Sequence, residues 1–256
     1  MSGSDSEHPF PAWLETELSD VGRHTLRVLN ERDGARRKIL EELRELVRGH
    51  YVDPAITAKR MESLGAPKTA ALLREKFPTR KNARSGDLGE ILATETAELE
   101  LGYEVPVRRL RWKDGREMAL RGDDIIGVAH DRIGNLFILK GESKSRATLS
   151  TAVLNEASGA LDSDRGRPTR HSMLFVAERL REMGDDALAE ELEEAVLTSF
   201  RDAGVTHMLF VLTGGPPKNL LETHLKGAER KRRVRHAVGI RIRDYADFIK
   251  LLFEGL

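Results

Sequence analysis

The sequence contains no cysteine, few aromatic residues and no long hydrophobic run. Without cysteine the chain can form neither a disulfide nor a thiolate metal site, and it has no thiol nucleophile. It has no stretch of about 18 consecutive apolar residues, so we expect no membrane span. Its first ten residues, MSGSDSEHPF, lack the basic start and apolar centre of a secretory signal. These absences together predict a cytoplasmic protein.

The chain also lacks an excess of either charge, since 42 Lys and Arg residues balance 42 Asp and Glu residues. A protein that binds nucleic acid by itself usually has a basic excess, because contacts with phosphates supply most of the affinity. If this chain acts on nucleic acid, we therefore expect it to hold the substrate weakly. Delivery of the substrate by a partner would then be a natural requirement.

Several familiar site motifs are missing as well. The eight histidines show neither HxxxH nor HExxH spacing, which argues against a zinc site. The sequence has no Walker A loop and no GxSxG elbow, which argues against a nucleotide-binding loop and an α/β-hydrolase. The chemistry has to be sought in other residues.

The pattern of apolar residues divides the chain near residue 80. From Trp13 to about Arg48 these residues recur mostly at steps of three and four, which predicts helix. Asp53-Pro54 and the stretch 67–76 predict two further helices. The polar stretch 79–82 is typical of a linker. We expect residues 1–80 to form a helical N-terminal region and residues 81–256 to form the main domain.

Beyond residue 80 the pattern predicts a mixed order of helices and strands. A helix from Ser85 to about Glu100 is followed by extended segments, by helices, and by strands that alternate with helices. The predicted strands are 104–111, 124–130, 135–142, 205–215 and 236–243, and the later helices are 148–162, 168–182, 186–203, 219–229 and one from 244. This order predicts an α/β fold with a mixed central sheet flanked by helices.

The segment HDRIGNL, 130–136, predicts a hairpin between two of these strands. An Asp that opens the turn and a Gly in the left-handed position match a three-residue loop with a bulge, which sets Asp131 opposite Asn135. Counting outwards along both strands sets Asp124 opposite Glu142. Lys144 then shares their face, because side chains alternate along a strand.

Three polar side chains, those of Asp124, Glu142 and Lys144, are thus expected at one end of the hairpin. Two carboxylates a few ångströms apart form a hard anionic site that suits Mg²⁺ or Mn²⁺. A lysine beside them can orient an attacking water or help to deprotonate it, and can offset charge on a phosphorane. This set of groups fits metal-dependent phosphodiester hydrolysis.

Two assignments within this site stay open. A slip of one residue would place Asp123 beside Glu142 in place of Asp124, because it would exchange the two faces of the strand. The bulge at Gly134 favours Asp124, so Asp123 is the alternative metal ligand. Glu90, among the apolar residues of the preceding helix, is either a further ligand or an acid that merely favours a helix N-terminus.

The motifs GDLGE, RGDDIIG and LFILKGESK resemble those of PD-(D/E)xK nucleases, and in particular of HamA, the nuclease subunit of Hachiman anti-phage defence systems. This resemblance implies a restriction-endonuclease-like fold and DNA cleavage held in check by a superfamily 2 helicase of the HamB type. It gives Asp124, Glu142 and Lys144 the catalytic roles and makes Glu90 a supporting ligand. The superfamily's proline before the first Asp is replaced here by Asp123.

Two basic clusters are candidate contacts with DNA or with a partner. The stronger lies in KGAERKRRVRHAVGIRIR, 226–243, and the second lies in DRGRPTRHS, 164–172. The first could follow a phosphate backbone or dock on an acidic partner, whereas ordinary solvation is the alternative for both. The residues proposed for these contacts are Arg165, Arg167, Lys231, Arg232, Arg233 and Arg235.

The sequence therefore leads to two functional hypotheses. The first is an Mg²⁺- or Mn²⁺-dependent deoxyribonuclease that acts as the effector of a defence complex and is licensed by a partner helicase. The second is a non-catalytic scaffold or interaction subunit in which a nuclease-like fold keeps its acids for structural reasons. The position of the lysine relative to the acids separates these hypotheses, since a lysine packed away from the carboxylates would favour the scaffold.

Overall fold

The centre of the molecule is a six-stranded mixed sheet. The structure is a computed structural model, and it describes residues 8–198, 204–228 and 233–256. Its strands, in chain order, are β1 (Leu14–Val21), β2 (His24–Glu31), β3 (Ile125–His130), β4 (Leu136–Arg146), β5 (Val205–Thr213) and β6 (Arg235–Arg241). They lie in the spatial order β1-β2-β6-β5-β4-β3. The four central strands run parallel, and β1 and β3 pair antiparallel at the two edges.

Helices cover both faces of this sheet, which confirms the predicted α/β architecture. They are α1 (Pro9–Trp13), α2 (Arg36–Tyr51), α3 (Pro54–Leu64), α4 (Ala66–Arg74), α5 (Lys81–Leu99), α6 (Thr151–Gly166), α7 (Arg170–Met183), α8 (Asp186–Thr198), α9 (Lys218–Gly227) and α10 (Tyr245–Glu254). One face packs against α1, α2, α5 and α10. The other packs against α6 and α9 near the middle of the sheet and against α7 and α8 near β3.

The first part of the predicted N-terminal helix is wrong, because residues 14–31 form the β1–β2 hairpin. β2 pairs in parallel with β6, so this hairpin belongs to the central sheet. The later part of the predicted helix is confirmed as α2, which spans Arg36–Tyr51. The two helices predicted next, α3 and α4, are confirmed, and Asp53 caps α3 by accepting a 2.8 Å hydrogen bond from the amide of Ala55. The division near residue 80 stays a prediction.

The β3–β4 hairpin has the predicted register. Ile125 pairs with Gly141 and His130 with Leu136, which places Asp124 opposite Glu142 one step beyond the end of β3. The turn is also as predicted: the amide of Asp131 donates to the carbonyl of Asn135 at 3.1 Å, and Gly134 has a φ of 84°. The strand predicted at 104–111 is wrong except for one bridge between Glu104 and Val128, and a 3₁₀ helix occupies Arg109–Trp112.

Helix α5 is the buried element that brings Glu90 to the sheet. It begins at Lys81, four residues before the predicted cap, and Leu88, Ile91 and Leu92 are fully buried against β3, β4 and β5. Among the described residues, no helix combines the length and hydrophobicity that crossing a membrane requires.

Candidate active site

Asp124 lies at the end of β3, where β4 continues without an antiparallel neighbour. Its Oδ2 accepts a 2.9 Å hydrogen bond from the amide of Ser143, so the carboxylate caps the free edge of β4 beside Glu142. Asp124 is half-buried. The register that the turn residues predict therefore does place this acid beside the Glu-x-Lys segment.

Glu142 and Lys144 project from β4 on the side of the sheet that α6 covers. The ammonium of Lys144 lies 2.7 Å from Oε1 of Glu142 and 3.0 Å from Oε1 of Glu156 on α6. The side chains of Glu142 and Lys144 are 13% and 15% exposed, so both are shielded yet reachable. The lysine is thus next to the acids and is not packed away from them.

Glu90 reaches the same end of the hairpin from α5, on the opposite side of the sheet. Close packing of helix and strand makes this possible, because a Cβ at the neighbouring Gly89 would lie 2.9 Å from Oγ of Ser143. Glu90 and Asp124 line one small cavity, and Glu90 also lines a wider cleft next to the first turn of α5. Asp124 stands between the other two carboxylates.

The charge of Asp124 disfavours ionisation of both Glu90 and Glu142. Burial and then the charge of Asp124 raise the pKa of Glu90 to about 8 and that of Glu142 to about 7. Burial also raises the pKa of Asp124, although the hydrogen bond from Ser143 opposes this. Burial disfavours the ammonium of Lys144, but its hydrogen bonds to Glu142 and Glu156 outweigh burial and raise its pKa. The lysine is therefore held as a cation.

Asp123, the alternative ligand, makes structural contacts instead. Its Oδ2 accepts a 2.7 Å hydrogen bond from the amide of Thr169, and its own amide donates to Oγ of Ser172 at 2.7 Å. Its Oδ1 lies 3.4 Å from the ammonium of Lys140, which is buried. These contacts tie the start of β3 to the start of α7, so Asp124 is the better candidate for the site.

Arg109 is a residue of this site that sequence reasoning missed. It is buried, lines the cavity of Glu90 and Asp124, and its charge opposes the rise in the pKa of both acids. One nitrogen, Nη2, donates to the carbonyl of Arg121 at 2.8 Å, whereas the buried Nη1 has no hydrogen-bond partner among the described residues. No local motif marks this arginine, because only the fold brings it to the acids.

A second missed group lies one helical turn before Glu90. The ammonium of Lys113 lies 2.8 Å from Asp87, and the hydroxyl of Tyr51 donates to the same carboxylate at 2.6 Å. Asp87 and Lys113 line the wider cleft together with Glu90. This network holds the wall of the cleft and involves residues from three distant parts of the chain.

Two of the basic residues predicted to contact DNA or a partner are buried. Arg235 is fully buried, where it binds Ser158 and forms an ion pair with Asp162, and Arg233 is 3% exposed. Neither guanidinium has the surface access that such a contact needs. Arg165 lies in a left-handed turn at the end of α6, close to Arg167. Lys231 and Arg232 lie outside the described residues.

The donors at the site suit a hard divalent cation. Partly buried carboxylate oxygens that repel one another are the ligands that Mg²⁺ and Mn²⁺ prefer, and a bound cation would relieve this repulsion. Asp124 and Glu142 would hold the ion, with Glu90 on the far side of Asp124. In the described part of the chain, however, no three His, Asp or Glu side chains converge tightly enough to form a ready-made metal cluster.

Fold and site together define an α/β protein in which a mixed sheet sets an Asp, a Glu and a Lys at the open end of a hairpin. Residues 8–256 match the model of the HamA family, so the chain belongs to that family. It is similar to Hachiman protein HamA from Bacillus cereus, with 27% identity over 228 residues that cover 86% of this chain and 81% of that protein.

Proposed function

We propose that this protein is a metal-dependent deoxyribonuclease that serves as an effector in Hachiman anti-phage defence. Membership of the HamA family supports a role in that defence system. The observation that most supports nuclease chemistry is the position of Lys144, which lies 2.7 Å from Glu142 while Glu142 stands opposite Asp124. A restriction-endonuclease-like fold of the PD-(D/E)xK type is part of this proposal.

Each residue then has a defined task in phosphodiester hydrolysis. Mg²⁺ or Mn²⁺, when bound, supplies a Lewis acid that offsets phosphate charge and lowers the pKa of water. Asp124 and Glu142 hold the ion, and Glu90 supports them. Lys144 lies 2.7 Å from Glu142, where its ammonium can donate a hydrogen bond that orients the attacking water and can stabilise developing negative charge.

A partner that supplies the DNA is the second part of the proposal. The formal net charge of zero gives the chain little long-range attraction for a polyanion. Among the basic residues proposed for DNA contact, Arg233 and Arg235 are buried. Both facts support a requirement for a partner, which we propose to be a superfamily 2 helicase of the HamB type that delivers the DNA or licenses its cleavage.

Plasmid cleavage tests the proposed function. The wild-type chain would be incubated with Mg²⁺, Mn²⁺ or EDTA, with and without the helicase, beside Glu142→Gln and Lys144→Ala. We expect cleavage that requires metal, is strongest with the helicase, and is lost in both variants. Cleavage that survives both substitutions would show that the site lies elsewhere.

A non-catalytic scaffold remains the second candidate because of one observation. The described residues hold no ready-made three-acid metal cluster, and Lys144 already has carboxylate partners in Glu142 and Glu156, as an ordinary structural ion pair would. If the protein is a scaffold, no metal or partner would elicit cleavage. Lys144→Ala would then lower the stability of the fold, and neither this variant nor the wild type would cleave DNA.

A further inference from the structure

A second cavity, of about 730 Å³, lies beside the candidate active site. Its walls are the first turns of α5, the end of β4 and helix α10. It lies at the carboxyl ends of the parallel strands, which is where open α/β sheets commonly bind ligands. We call this cavity the α5–α10 groove.

The walls of the α5–α10 groove carry four cationic side chains and two acidic ones. The cations are Lys81, Arg84, Arg146 and Lys250, and the acids are Asp247 and Glu254. Lys250 has only a long ion pair with Glu254, at 3.9 Å, and no ion pair of Lys81, Arg84 or Arg146 occurs among the described residues. The groove therefore has an excess of positive charge within a chain that has none overall.

A rigid set of hydroxyl groups forms the floor of the groove. The hydroxyl of Tyr245 shares 2.6 Å hydrogen bonds with Oγ of Ser85 and with Oγ of Ser145. Oγ of Ser85 also donates to Oγ of Ser145 at 3.1 Å. These three residues come from α10, α5 and β4, so the triangle fixes the three walls relative to one another. Such a preformed polar floor needs little reorganisation when a polar ligand enters.

The groove adjoins the candidate active site at two points. Lys81 lines both the groove and the cleft that Glu90 also lines. Arg146 follows Lys144 by two residues on β4. Lys144, which binds Glu156, and to a smaller extent Arg146 both lower the pKa of the Glu156 carboxyl group. A chain molecule that passes the acids would therefore meet the cations of the groove next.

We propose that the α5–α10 groove binds the phosphodiester backbone of the DNA strand next to the bond that is cleaved. This inference rests on the proposed nuclease function and adds the binding surface for its substrate. Lys81 and Lys250 contact phosphates as mobile point charges. Arg146 holds the strand close to Lys144, while Arg84 mainly shapes the wall, because it donates to the carbonyl of Pro78 and stacks on Phe253.

Salt-dependent DNA binding tests this proposal without any need for cleavage. Fluorescence anisotropy in EDTA would measure the Kd of a labelled duplex of about 20 base pairs between about 50 and 200 mM salt. Loss of two phosphate contacts in Lys81→Ala/Lys250→Ala should make the slope of log Kd against log salt shallower by about 1.8. With metal and helicase, the same variant should show a raised KM and an unchanged kcat.

Lys38→Ala/Lys59→Ala is the matched control, because it removes two exposed lysines from α2 and α3 that lie outside the groove and outside both basic clusters. If the groove variant and this control give equal salt slopes and both unfold at the wild-type temperature, the proposed DNA contact in the groove is wrong. The proposed nuclease function would be unaffected by that result. If the groove variant alone has a shallower salt slope but the protein never cleaves DNA, the groove binds DNA and the proposed nuclease function is wrong.

Discussion

At the scale of single residues, Glu90 is an acid whose position lowers the stability of the metal-free fold. Its pKa of about 8 means that the folded state disfavours ionisation, so stability is lost as the pH rises from about 4.5 to about 8. Glu90→Gln keeps the shape and removes the charge. We expect this variant to raise the free energy of unfolding by about 2 kcal/mol at pH 8 in EDTA, as measured by urea denaturation.

Glu15→Gln supplies the control for this measurement, since Glu15 is exposed on the edge strand β1 and should leave stability unchanged. Adding Mn²⁺ should stabilise the wild type more than Glu90→Gln, because the cation relieves a repulsion that the variant has already lost. A Glu90→Gln protein less stable than wild type at pH 8 would contradict the opposed-acid description of the site.

The buried His207 and the half-buried His236 predict how stability depends on acid pH. Burial lowers the pKa of His207 and of His236 to about 4. The neighbouring Arg235 and Lys140 lower the pKa of His207 further, and Arg27 and His24 do the same for His236. Both are neutral in the folded state and become protonated on unfolding below about pH 6.5. Their contribution is therefore complete above about pH 6.5 and is lost as the pH falls to about 4.

Urea midpoints at several pH values across this range test the histidine prediction. We expect a progressive fall, and a smaller one in His236→Gln, whose Nδ1 hydrogen bond with Thr25 can be replaced by the amide. His130→Gln is the control, because His130 is exposed and its pairing with Glu191 is on the surface. Equal falls in both variants and the wild type would show that other groups set the acid limit.

At the residue scale, the sequence predicted the parts of the site that follow from local chemistry. Asp131 and Gly134 determine a turn, the turn determines the register, and the register brings Asp124 to Glu142. Arg109 could not be found in this way. Its approach to Glu90 depends on the packing of α5 against the 3₁₀ helix, and no spacing in the sequence encodes that contact.

At the scale of elements, the adjacent Asp123 and Asp124 are predicted to have opposite effects. Asp123 fastens β3 to α7 and lies beside the buried ammonium of Lys140, so Asp123→Asn should lower the free energy of unfolding by about 3 kcal/mol. Asp124→Asn keeps an acceptor for the amide of Ser143 and relieves repulsion, so its stability should match or exceed that of the wild type.

Thermal unfolding beside plasmid cleavage distinguishes these two roles. Asp124→Asn should fold and fail to cleave, whereas Asp123→Asn should retain cleavage at temperatures where it is still folded. Each variant is the control for the other, because the two substitutions make the same chemical change at neighbouring positions. A stable, inactive Asp123→Asn would exchange the assignments and make Asp123 the ligand.

The β1–β2 hairpin shows why a pattern of apolar residues can mislead at the scale of elements. Leu14, Leu18 and Val21 have helical spacing, yet they lie in the edge strand β1, where Leu18 is 59% exposed. The overlooked signal was Gly22, which has a φ of 61° in a two-residue turn between Val21 and His24. Glycine at the first position of such a turn is typical of a hairpin.

At the scale of the whole molecule, the sheet joins the N-terminal region to the site. β2 pairs with β6 along six residues, and Trp13, Leu29 and Leu43 lie in the same buried cluster as Leu88 of α5 and Phe210 of β5. The helix that presents Glu90 thus packs within a core that residues before 80 help to build. From these contacts we predict that the chain unfolds as one cooperative unit.

Truncation tests this cooperativity. A fragment of residues 81–256 would expose the edge of β6 and the apolar residues of α5 that α2 covers, so we expect it to aggregate or to lack a cooperative unfolding transition. A fragment of residues 8–256 is the control and should unfold like the full chain. If residues 81–256 instead gave a soluble protein with a sharp transition, the chain would divide near residue 80. The site would then have to form without β1 and β2. Metal-dependent cleavage by that fragment would show that the site, with Glu90 near Asp124, forms without the N-terminal strands.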